Sequence, residues 1–284
     1  MFSSMKPRTR ERIGNVIFLY IPMALFLVFM LFPFYWIFNT SLKDSVEVFS
    51  IPVKYWPDMP TVENYINLFK NLGFDRYFMN SAFVAILTTL FVTFLSLLGG
   101  YAMSRYQFKG KGLIYVILLI TQMLPAVVLM IPLFQTMNTL GLINNHWSLV
   151  LVCTCTNLAF CLFMMMGYYN SVPVSLEEAA QIDGCSLLGA VMRVLLPTMR
   201  PSIVATGAYA FINAWNVYVY AIAFITDRKK YTLPLGLNVF QGEFGTDYAS
   251  LAAGCVIALV PVLVIFAFIQ KHMSGGATAG AVKG

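Results

Sequence analysis

The sequence predicts an all-α integral membrane protein with six transmembrane helices. Of its 284 residues, 59% are hydrophobic and only 11% are charged, whereas about 25% are charged in an average soluble domain. The mean hydropathy is +0.76. Six runs without a charged residue are each longer than the roughly 20 residues that cross the hydrocarbon core of a bilayer. These runs are residues 15–38, 79–104, 113–137, 146–168, 202–226 and 249–270.

The first run is predicted to be a retained transmembrane helix. A secretory signal peptide has an apolar region of only roughly 7–15 residues, followed by a cleavage site with small residues. Residues 15–38 exceed that length, and they end in the aromatic sequence Phe34-Tyr35-Trp36. Aromatic side chains at the end of an apolar run are typical of a membrane interface.

The basic residues favour an orientation with both termini in the cytoplasm. Lys6, Arg8, Arg10 and Arg12 precede the first run, and only Lys43 follows it closely. In this orientation the cytoplasmic segments hold the majority of the 18 Lys and Arg residues, as the positive-inside rule requires.

The runs and their connections predict how the chain is divided. Residues 1–73 contain the cytoplasmic N-terminus, the first transmembrane helix and a long outer loop, in which residues 62–71 are predicted to form a short helix. Residues 74–270 form a core of five helices, and residues 271–284 form a cytoplasmic tail. Three of the prolines inside the runs are expected to kink their helices: Pro125, Pro132 and Pro261.

Composition and motifs exclude several functional classes. The net charge of +6 is scattered over loops without a basic stripe, so no nucleic-acid partner is expected. The five cysteines lack zinc-ligand spacing and are interpreted as small core residues, so no metal site is expected. There is no phosphate-binding loop and no hydrolase motif, so no catalytic residue, cofactor or enzymatic activity is expected. Any energy for uphill transport must therefore come from another chain.

Residues 172–201, called the helical loop below, connect the fourth and fifth runs and are themselves predicted to be helical. Ser175 stands three residues before Glu178, which is the spacing of a capping box at a helix N-terminus. Asp183-Gly184 predicts a turn, after which residues 186–196 form a second helical piece that Pro197 should end. A helix-turn-helix between two spans is suited to docking onto a partner.

Polar side chains in the fifth run predict either a substrate-facing surface or contacts to neighbouring helices. Tyr209, Asn213, Asn216 and Tyr220 recur at helical spacing and would share one face, with Trp215 beside it. Amides and phenols suit a neutral polyol, but the same groups can bond to adjacent helices, at about 0.6 kcal/mol each. Further candidates lie in other runs: Asn157, Thr154, Thr156, Gln122 and Gln135.

The helical loop carries a spaced motif that resembles a known family. Glu-Ala-Ala at 178–180 is followed after three residues by Gly184, after nine more by Val194, and then by Leu196-Pro197. This pattern resembles the signature of binding-protein-dependent ABC importer permeases, in which Ile stands at the position of Val194. Further segments are similar to the carbohydrate-type branch, and within it to the second permease subunit of maltose transporters: residues 41–43, 64–65, 215–216, 232–237 and 278–284.

The resemblance implies a fold, a location and a set of partners. It implies a type-I permease fold in a bacterial or archaeal plasma membrane. The implied partners are a second, homologous permease, a dimer of cytoplasmic ATP-binding subunits, an extracytoplasmic solute-binding protein and membrane lipid. The helical loop would then contact an ATP-binding subunit and couple ATP hydrolysis in that partner to transport of an oligosaccharide or related polyol.

The resemblance also assigns roles to individual residues. Glu178 would contact the ATP-binding subunit, and Gly184 would allow the chain to turn between two short helices. In maltose-type systems the substrate contacts can lie mainly in the partner permease, so the polar face of the fifth run could line the pathway without binding sugar. The residues expected to take part in coupling are Glu177, Glu178, Ala179, Ala180, Asp183, Gly184, Leu196 and Pro197.

Two other functional classes fit the sequence less well than an importer. A proton-coupled secondary transporter needs an ionisable residue within a span, and none of the six runs contains Asp, Glu, Lys or Arg, while His146 stands at the edge of the fourth run. A membrane scaffold or receptor would lack a reason to carry the spaced motif of the helical loop.

Overall fold

The structure is a computed structural model that describes residues 16–71, 73–242 and 245–280. Apart from one hairpin of two-residue strands, β1 (Gln241–Gly242) and β2 (Gly245–Thr246), its regular elements are helical. The α-helices are α1 (Ile21–Ser41), α2 (Glu63–Asn71), α3 (Phe74–Arg105), α4 (Lys111–Met123), α5 (Ala126–Thr139), α6 (His146–Ser171), α7 (Ser175–Ile182), α8 (Leu187–Thr198), α9 (Arg200–Trp215), α10 (Val219–Phe224), α11 (Leu233–Leu237) and α12 (Tyr248–Gly280). Shorter π and 3-10 turns occur at Val16–Tyr20, Glu47–Phe49, Val191–Leu195, Arg228–Lys230 and Asn238–Phe240.

Four helices of the described chain are long and apolar enough to cross a membrane, and the number is six if each of two bent helix pairs is one span. The long helices α1, α3, α6 and α12 agree with the first, second, fourth and sixth predicted spans. The bent pairs are α4 with α5, at 104°, and α8 with α9, at 76°. The prediction of an all-α membrane protein is confirmed.

The predicted third span is broken rather than kinked. Leu124 and Pro125 are both extended, with ψ of 122° and 136°, and they separate α4 from α5. Proline lacks a backbone N–H and disfavours helical backbone at the residue before it, so the chain leaves the helix here. Pro132 and Pro261 lie inside α5 and α12, which continue through them.

The predicted fifth span, residues 202–226, is also not one helix. The helix α9 ends at Trp215, and α10 begins only at Val219. No proline marks this break. Instead, the backbone N–H and the side-chain Nδ2 of Asn216 both donate to the Ile212 oxygen, at 3.1 and 2.9 Å. Asn216 makes the last bond of this helical pattern, because the next N–H, that of Val217, donates to Ala214 O three residues earlier, at 3.3 Å.

The described residues divide into two compact units. One contains the described residues up to 71 together with Phe240–Ile257, and the other contains Gly73–Val239 with the described residues from Ala258 onward. In the first unit, Asn64 Nδ2 donates to the backbone oxygens of Ser41 and Lys43, at 2.9 and 2.8 Å, and so ties the long loop after α1 to the end of that helix. The predicted short helix of this loop is present as α2.

The second unit is built on three helices, α3, α6 and α9, that pack closely together. One buried cluster joins a residue from each of them: Val92, Cys161 and Ala210. A Cβ atom added at Gly100 would lie 2.8 Å from the Met165 Cβ, so α3 and α6 approach here almost backbone to backbone. Small residues that permit such approach are the usual basis of helix packing in membranes.

Candidate functional site

The first helix of the helical loop begins one residue earlier than a capping box would require. Val174 has helical backbone (φ −62°, ψ −29°) and stands at the N-cap, where no side chain caps the helix. Ser175 is the first helical residue, so the predicted capping box of Ser175 and Glu178 is wrong. Winding already starts at Pro173, whose oxygen accepts a hydrogen bond from the Leu176 N–H at 3.2 Å. The fixed φ of proline is suited to the start of a helix.

The turn between the two helices has a defined hydrogen-bond pattern. The Gly184 N–H donates to Gln181 O and the Cys185 N–H donates to Ala180 O, both at 3.0 Å. These two bonds form a Schellman motif, which requires a left-handed residue after the helix. Gly184 supplies it, with φ of +89°. The predicted turn at Asp183-Gly184 is therefore confirmed.

The second helix starts with a side-chain cap and continues through Pro197. The Ser186 Oγ accepts a hydrogen bond from the Gly189 N–H at 3.1 Å. Within α8, Val191–Leu195 forms a π turn in which the Leu196 N–H bonds to Val191 O. The wider turn leaves room for the Pro197 ring, which would otherwise clash with the carbonyl one turn earlier. The prediction that Pro197 ends the helix is wrong, because the chain bends only at Met199, after Thr198.

A buried ion pair joins the helical loop to the end of α3. The Glu177 Oε1 accepts a hydrogen bond from Arg105 Nε at 2.6 Å, and its Oε2 accepts one from the Tyr101 hydroxyl at 2.9 Å. The Glu177 and Arg105 side chains are only 4% and 10% exposed. Arg105 also donates from Nη2 to Val172 O at 3.0 Å. Both carboxylate oxygens of Glu177 are thus bonded to α3, and this pair fixes α7 against the helix core.

The other predicted coupling residues are divided between a buried and an exposed side of the helical loop. Ala180 is 7% exposed, and Leu196 and Pro197 are half-buried. Beside them Leu195 packs in a buried cluster with Met165, Tyr169 and Met199. The exposed side carries four of the predicted residues: Glu178, Ala179, Asp183 and Gly184. Six large apolar side chains of the loop are also exposed, and the three most exposed are Ile182 at 86%, Leu188 at 71% and Met192 at 57%.

A second candidate region is a cavity of about 300 Å³ in the second unit. Six of the predicted polar residues line it: Gln122, Thr156, Asn157, Tyr209, Asn213 and Tyr220. Trp215 and Asn216 are not among its lining residues. Trp215 is 1% exposed, and its Nε1 donates to Ala258 O at 3.1 Å. The prediction of one polar face assumed a continuous helix. Because the helix ends before Asn216, this residue does not line the cavity together with Tyr209, Asn213 and Tyr220.

Both helix breaks open onto this cavity. Leu124 and Ala126, at the break between α4 and α5, contribute to its wall. Val217, Tyr218 and Val219, at the break between α9 and α10, also contribute to its wall. Irregular backbone at membrane depth is tolerated where it lines a water-filled space or is covered by protein, so the cavity and the two breaks belong together.

The polar groups of the cavity wall are held in place by local bonds. Asn157 Nδ2 donates to Cys153 O at 2.7 Å and Asn213 Nδ2 donates to Tyr209 O at 2.9 Å. The hydroxyls of Thr121 and Thr156 donate to backbone oxygens of their own helices, at 2.7 and 2.9 Å. Among the residues that the structure describes, no three His, Cys, Asp or Glu side chains come together as metal ligands would.

Sequence reasoning missed Arg105 and Tyr101, which hold Glu177. The available signal was weak: a basic residue at the end of the second run, with a tyrosine one helical turn before it on the same face. Thr121 and Tyr218 were also missed as cavity residues, whereas Gln122 and Thr156, which line it, were among the weaker candidates. Thr154 is buried and bonds to Val150 O, and Gln135 is not part of the lining.

Comparison with known proteins gives a consistent picture. The model of the family described as "Binding-protein-dependent transport system inner membrane component" matches residues 95–276. The chain is 35% identical over 265 residues to a sulfoquinovosyl glycerol transport system permease protein of Agrobacterium fabrum, covering 93% of each chain. It is 33% identical over 278 residues to a trehalose/maltose transport system permease protein of Thermococcus litoralis, covering 97% of this chain and 99% of that one.

Solved structures support the fold. A chain from the crystal structure of a bacterial ABC transporter involved in the import of the acidic polysaccharide alginate aligns with a TM-score of 0.78 at 23% identity, covering 95% of this chain and 99% of that one. A chain from the alginate transporter in complex with an alginate pentasaccharide-bound periplasmic protein aligns with a TM-score of 0.65 at 16% identity, covering 93% and 95% of the two chains.

Proposed function

Since this chain belongs to the family of binding-protein-dependent transport system inner membrane components, we propose that it is one permease subunit of an ATP-driven importer of a carbohydrate. It is a multi-pass inner membrane protein. Relatives named for trehalose or maltose, for arabinooligosaccharides and for diacetylchitobiose support a carbohydrate as the substrate. Membership of this family argues against a proton-coupled secondary transporter and against a scaffold or receptor.

The permease acts together with partner chains. We infer a second, homologous permease that completes the pathway, two cytoplasmic ATP-binding subunits and an extracytoplasmic solute-binding protein. A periplasmic protein accompanies the alginate transporter in its complex, which supports the last of these. ATP hydrolysis belongs to the ATP-binding partner, because this sequence has no phosphate-binding loop.

The observation that carries the coupling role is the buried pair of Arg105 and Glu177. A displacement of α7 would be transmitted directly to α3, because the Glu177 carboxylate is bonded to both Arg105 and Tyr101. A rigidly attached helix transmits a rigid-body displacement, whereas a loosely tethered loop would absorb it. The helical loop therefore has the mechanical connection that coupling requires.

The exposed side of the helical loop is the proposed contact surface for an ATP-binding subunit. It combines the carboxylate of Glu178 with exposed Ile182 and Leu188. An amphipathic helix of this kind suits a groove on a partner, with apolar anchors and a charged contact. In this arrangement the helical loop and both termini lie in the cytoplasm, in agreement with the distribution of basic residues.

Two substitutions in the helical loop test this function. Glu178→Arg reverses the charge of the contact surface, and Gly184→Pro removes the left-handed turn, which proline cannot adopt. Both variants should lose sugar uptake and co-purification of the ATP-binding subunit while remaining in the membrane.

The matched control is Glu63→Arg, which makes the same charge reversal at an exposed residue in the first turn of α2. It should leave co-purification unchanged. The coupling role would be refuted if Glu178→Arg and Gly184→Pro both retained the ATP-binding subunit and normal uptake.

A further inference from the structure

The first compact unit contains a pocket of about 260 Å³ between the end of α1 and the start of α12. Both helix ends and the segment that follows α1 contribute to its lining. We propose that this pocket, called the interface pocket below, binds a phospholipid with an anionic headgroup. The headgroup phosphate is bound by Lys43, and an acyl chain lies against the apolar side chains of the two helices.

Lys43 brings a buried positive charge to the lining of the interface pocket. It is only 2% exposed. Its Nζ donates to Lys54 O at 2.6 Å and lies 5.0 Å from the centroid of the Trp36 ring, but no carboxylate of the described residues forms a salt bridge with it. A buried charge is costly unless it is paired. Since an ammonium group has three N–H donors, two remain for the oxygens of a phosphate.

The two acidic side chains that follow Lys43 most closely in the sequence have other partners. The Asp44 Oδ1 accepts a hydrogen bond from the backbone N–H two residues later, at 2.9 Å. The Glu47 carboxylate accepts one from the Asp58 N–H at 2.8 Å and lies 3.6 Å from the Lys54 Nζ. The charge of Lys43 is therefore available to an anion from outside the chain.

Aromatic side chains indicate that the interface pocket lies at the level of the lipid headgroups. The Trp36 ring stacks on Phe32 with a centroid distance of 5.9 Å and meets the Tyr55 ring edge-on at 6.0 Å. At the start of α12, the Tyr248 ring meets Phe49 edge-on at 5.7 Å. Tyrosine and tryptophan concentrate where the bilayer meets water, because their rings are apolar and carry one polar group.

The lining changes from polar to apolar along the two helices, as a phospholipid does from headgroup to acyl chain. Lys43, Thr40 and Tyr248 line the end of the pocket where α1 ends and α12 begins. Leu251 and Cys255 continue the lining on the same face of α12. Because a helix rises 1.5 Å per residue, Cys255 lies about 10 Å further along the helix than Tyr248.

The apolar part of the interface pocket favours a lipid over a free anion. Inorganic phosphate could bind beside Lys43, but it would leave the space along Ile37, Leu251 and Cys255 without contacts. The side chains around an empty space lose their dispersion contacts on that side. An acyl chain fills the space, so one phospholipid satisfies both the buried charge and the apolar wall.

Native mass spectrometry of the complete importer in detergent tests the proposal with two added lipids. Phosphatidylglycerol carries a net negative charge, whereas the choline cation of phosphatidylcholine offsets the charge of its phosphate. The wild type should bind phosphatidylglycerol about tenfold more tightly, which is the effect of one hydrogen bond between charged groups. Inorganic phosphate in excess should not displace the bound lipid.

Three substitutions locate the site. Lys43→Met removes the charge at similar volume and should remove the preference for phosphatidylglycerol, whereas Lys43→Arg should retain it. Cys255→Phe keeps Lys43 but fills the apolar part of the pocket, so it should weaken the binding of both lipids. The matched control is Lys70→Met, because Lys70 is exposed in the last turn of α2 in the same unit. It should leave the binding of both lipids unchanged.

Four results would overturn the proposal. The first is equal binding of the two lipids by the wild type, and the second is an equal effect of Lys43→Met and Lys70→Met. The third is displacement of the lipid by inorganic phosphate, which would identify a phosphate site. The fourth is binding to the isolated chain but not to the complete importer, which would show that the second permease covers the pocket. Co-purification of the ATP-binding subunit reports separately on the importer function.

Discussion

The helical loop and the cavity lie in the same unit, and they are built in opposite ways. At the helical loop, a buried ion pair to α3 and a side-chain cap hold the backbone in one arrangement. At the cavity, two transmembrane segments are interrupted and polar side chains face open space. Under the proposed function, specific contacts are concentrated in the segment that would receive force from the ATP-binding subunit, and the helices are interrupted where a solute would pass.

The largest effect is expected at the ion pair. Arg105→Ala leaves the Glu177 carboxylate buried without its cation, which typically costs about 3–5 kcal/mol. The thermal unfolding midpoint of the detergent-purified protein should fall sharply. The double variant Arg105→Ala/Glu177→Gln should recover much of the loss, because it removes the unpaired charge.

The comparison for this variant is Arg200→Ala, which removes an exposed arginine from the start of α9. If Arg105→Ala unfolds at the same temperature as Arg200→Ala, the helical loop is not fixed by the ion pair, and the contrast with the cavity loses its main support.

An intermediate effect is expected where α3 and α6 approach each other. The added methyl group of Gly100→Ala would lie 2.8 Å from the Met165 Cβ and 3.1 Å from the Met166 backbone nitrogen. Overpacking of this kind typically costs about 1–3 kcal/mol. Thermal unfolding of the purified protein measures it.

Gly167→Ala is the matched control for this prediction. Gly167 lies in α6, and nothing is within 4 Å of the position that its Cβ would take. Alanine should stabilise that helix by roughly 0.5–1 kcal/mol. Opposite signs for the two substitutions are expected, and a loss of stability in both would show that close helix contact is not the cause.

The smallest effect is expected at the cap of α8. Ser186→Ala removes the acceptor of the Gly189 N–H, and loss of such a cap costs about 1 kcal/mol. Hydrogen exchange at the Gly189 amide should accelerate. Ser175→Ala serves as the reference because Ser175 caps nothing. A similar response to both substitutions would mean that the cap does not order the helical loop.

The fold could be predicted from the sequence wherever a long apolar run forms one helix. This holds for α3 and α6, because the length and hydropathy of a span are local properties. The break at Leu124–Pro125 was signalled by its proline, although a kink was expected. The break at Asn216 was not signalled, because asparagine within a run also suits a helix face.

The candidate site was predictable only in part, for a related reason. The spaced motif identified the helical loop because it is contained within 20 neighbouring residues. The partner of Glu177 is Arg105, 72 positions earlier, and no periodic pattern links positions so far apart. The predicted capping box is wrong for a local reason. Pro173 starts the helix, so Ser175 lies in the first turn and not at the N-cap.

The π turn at Val191–Leu195 has a consequence for how the length of this protein can vary. A π turn contains one residue more than an α-helical turn and amounts to a single-residue insertion. Deleting one residue there would restore the α-helix and rotate the two sides of the segment by about 100° relative to each other. It would also bring the Pro197 ring against a carbonyl again. The segment between Gly184 and Pro197 should therefore tolerate many exchanges of side chain but no change in its number of residues.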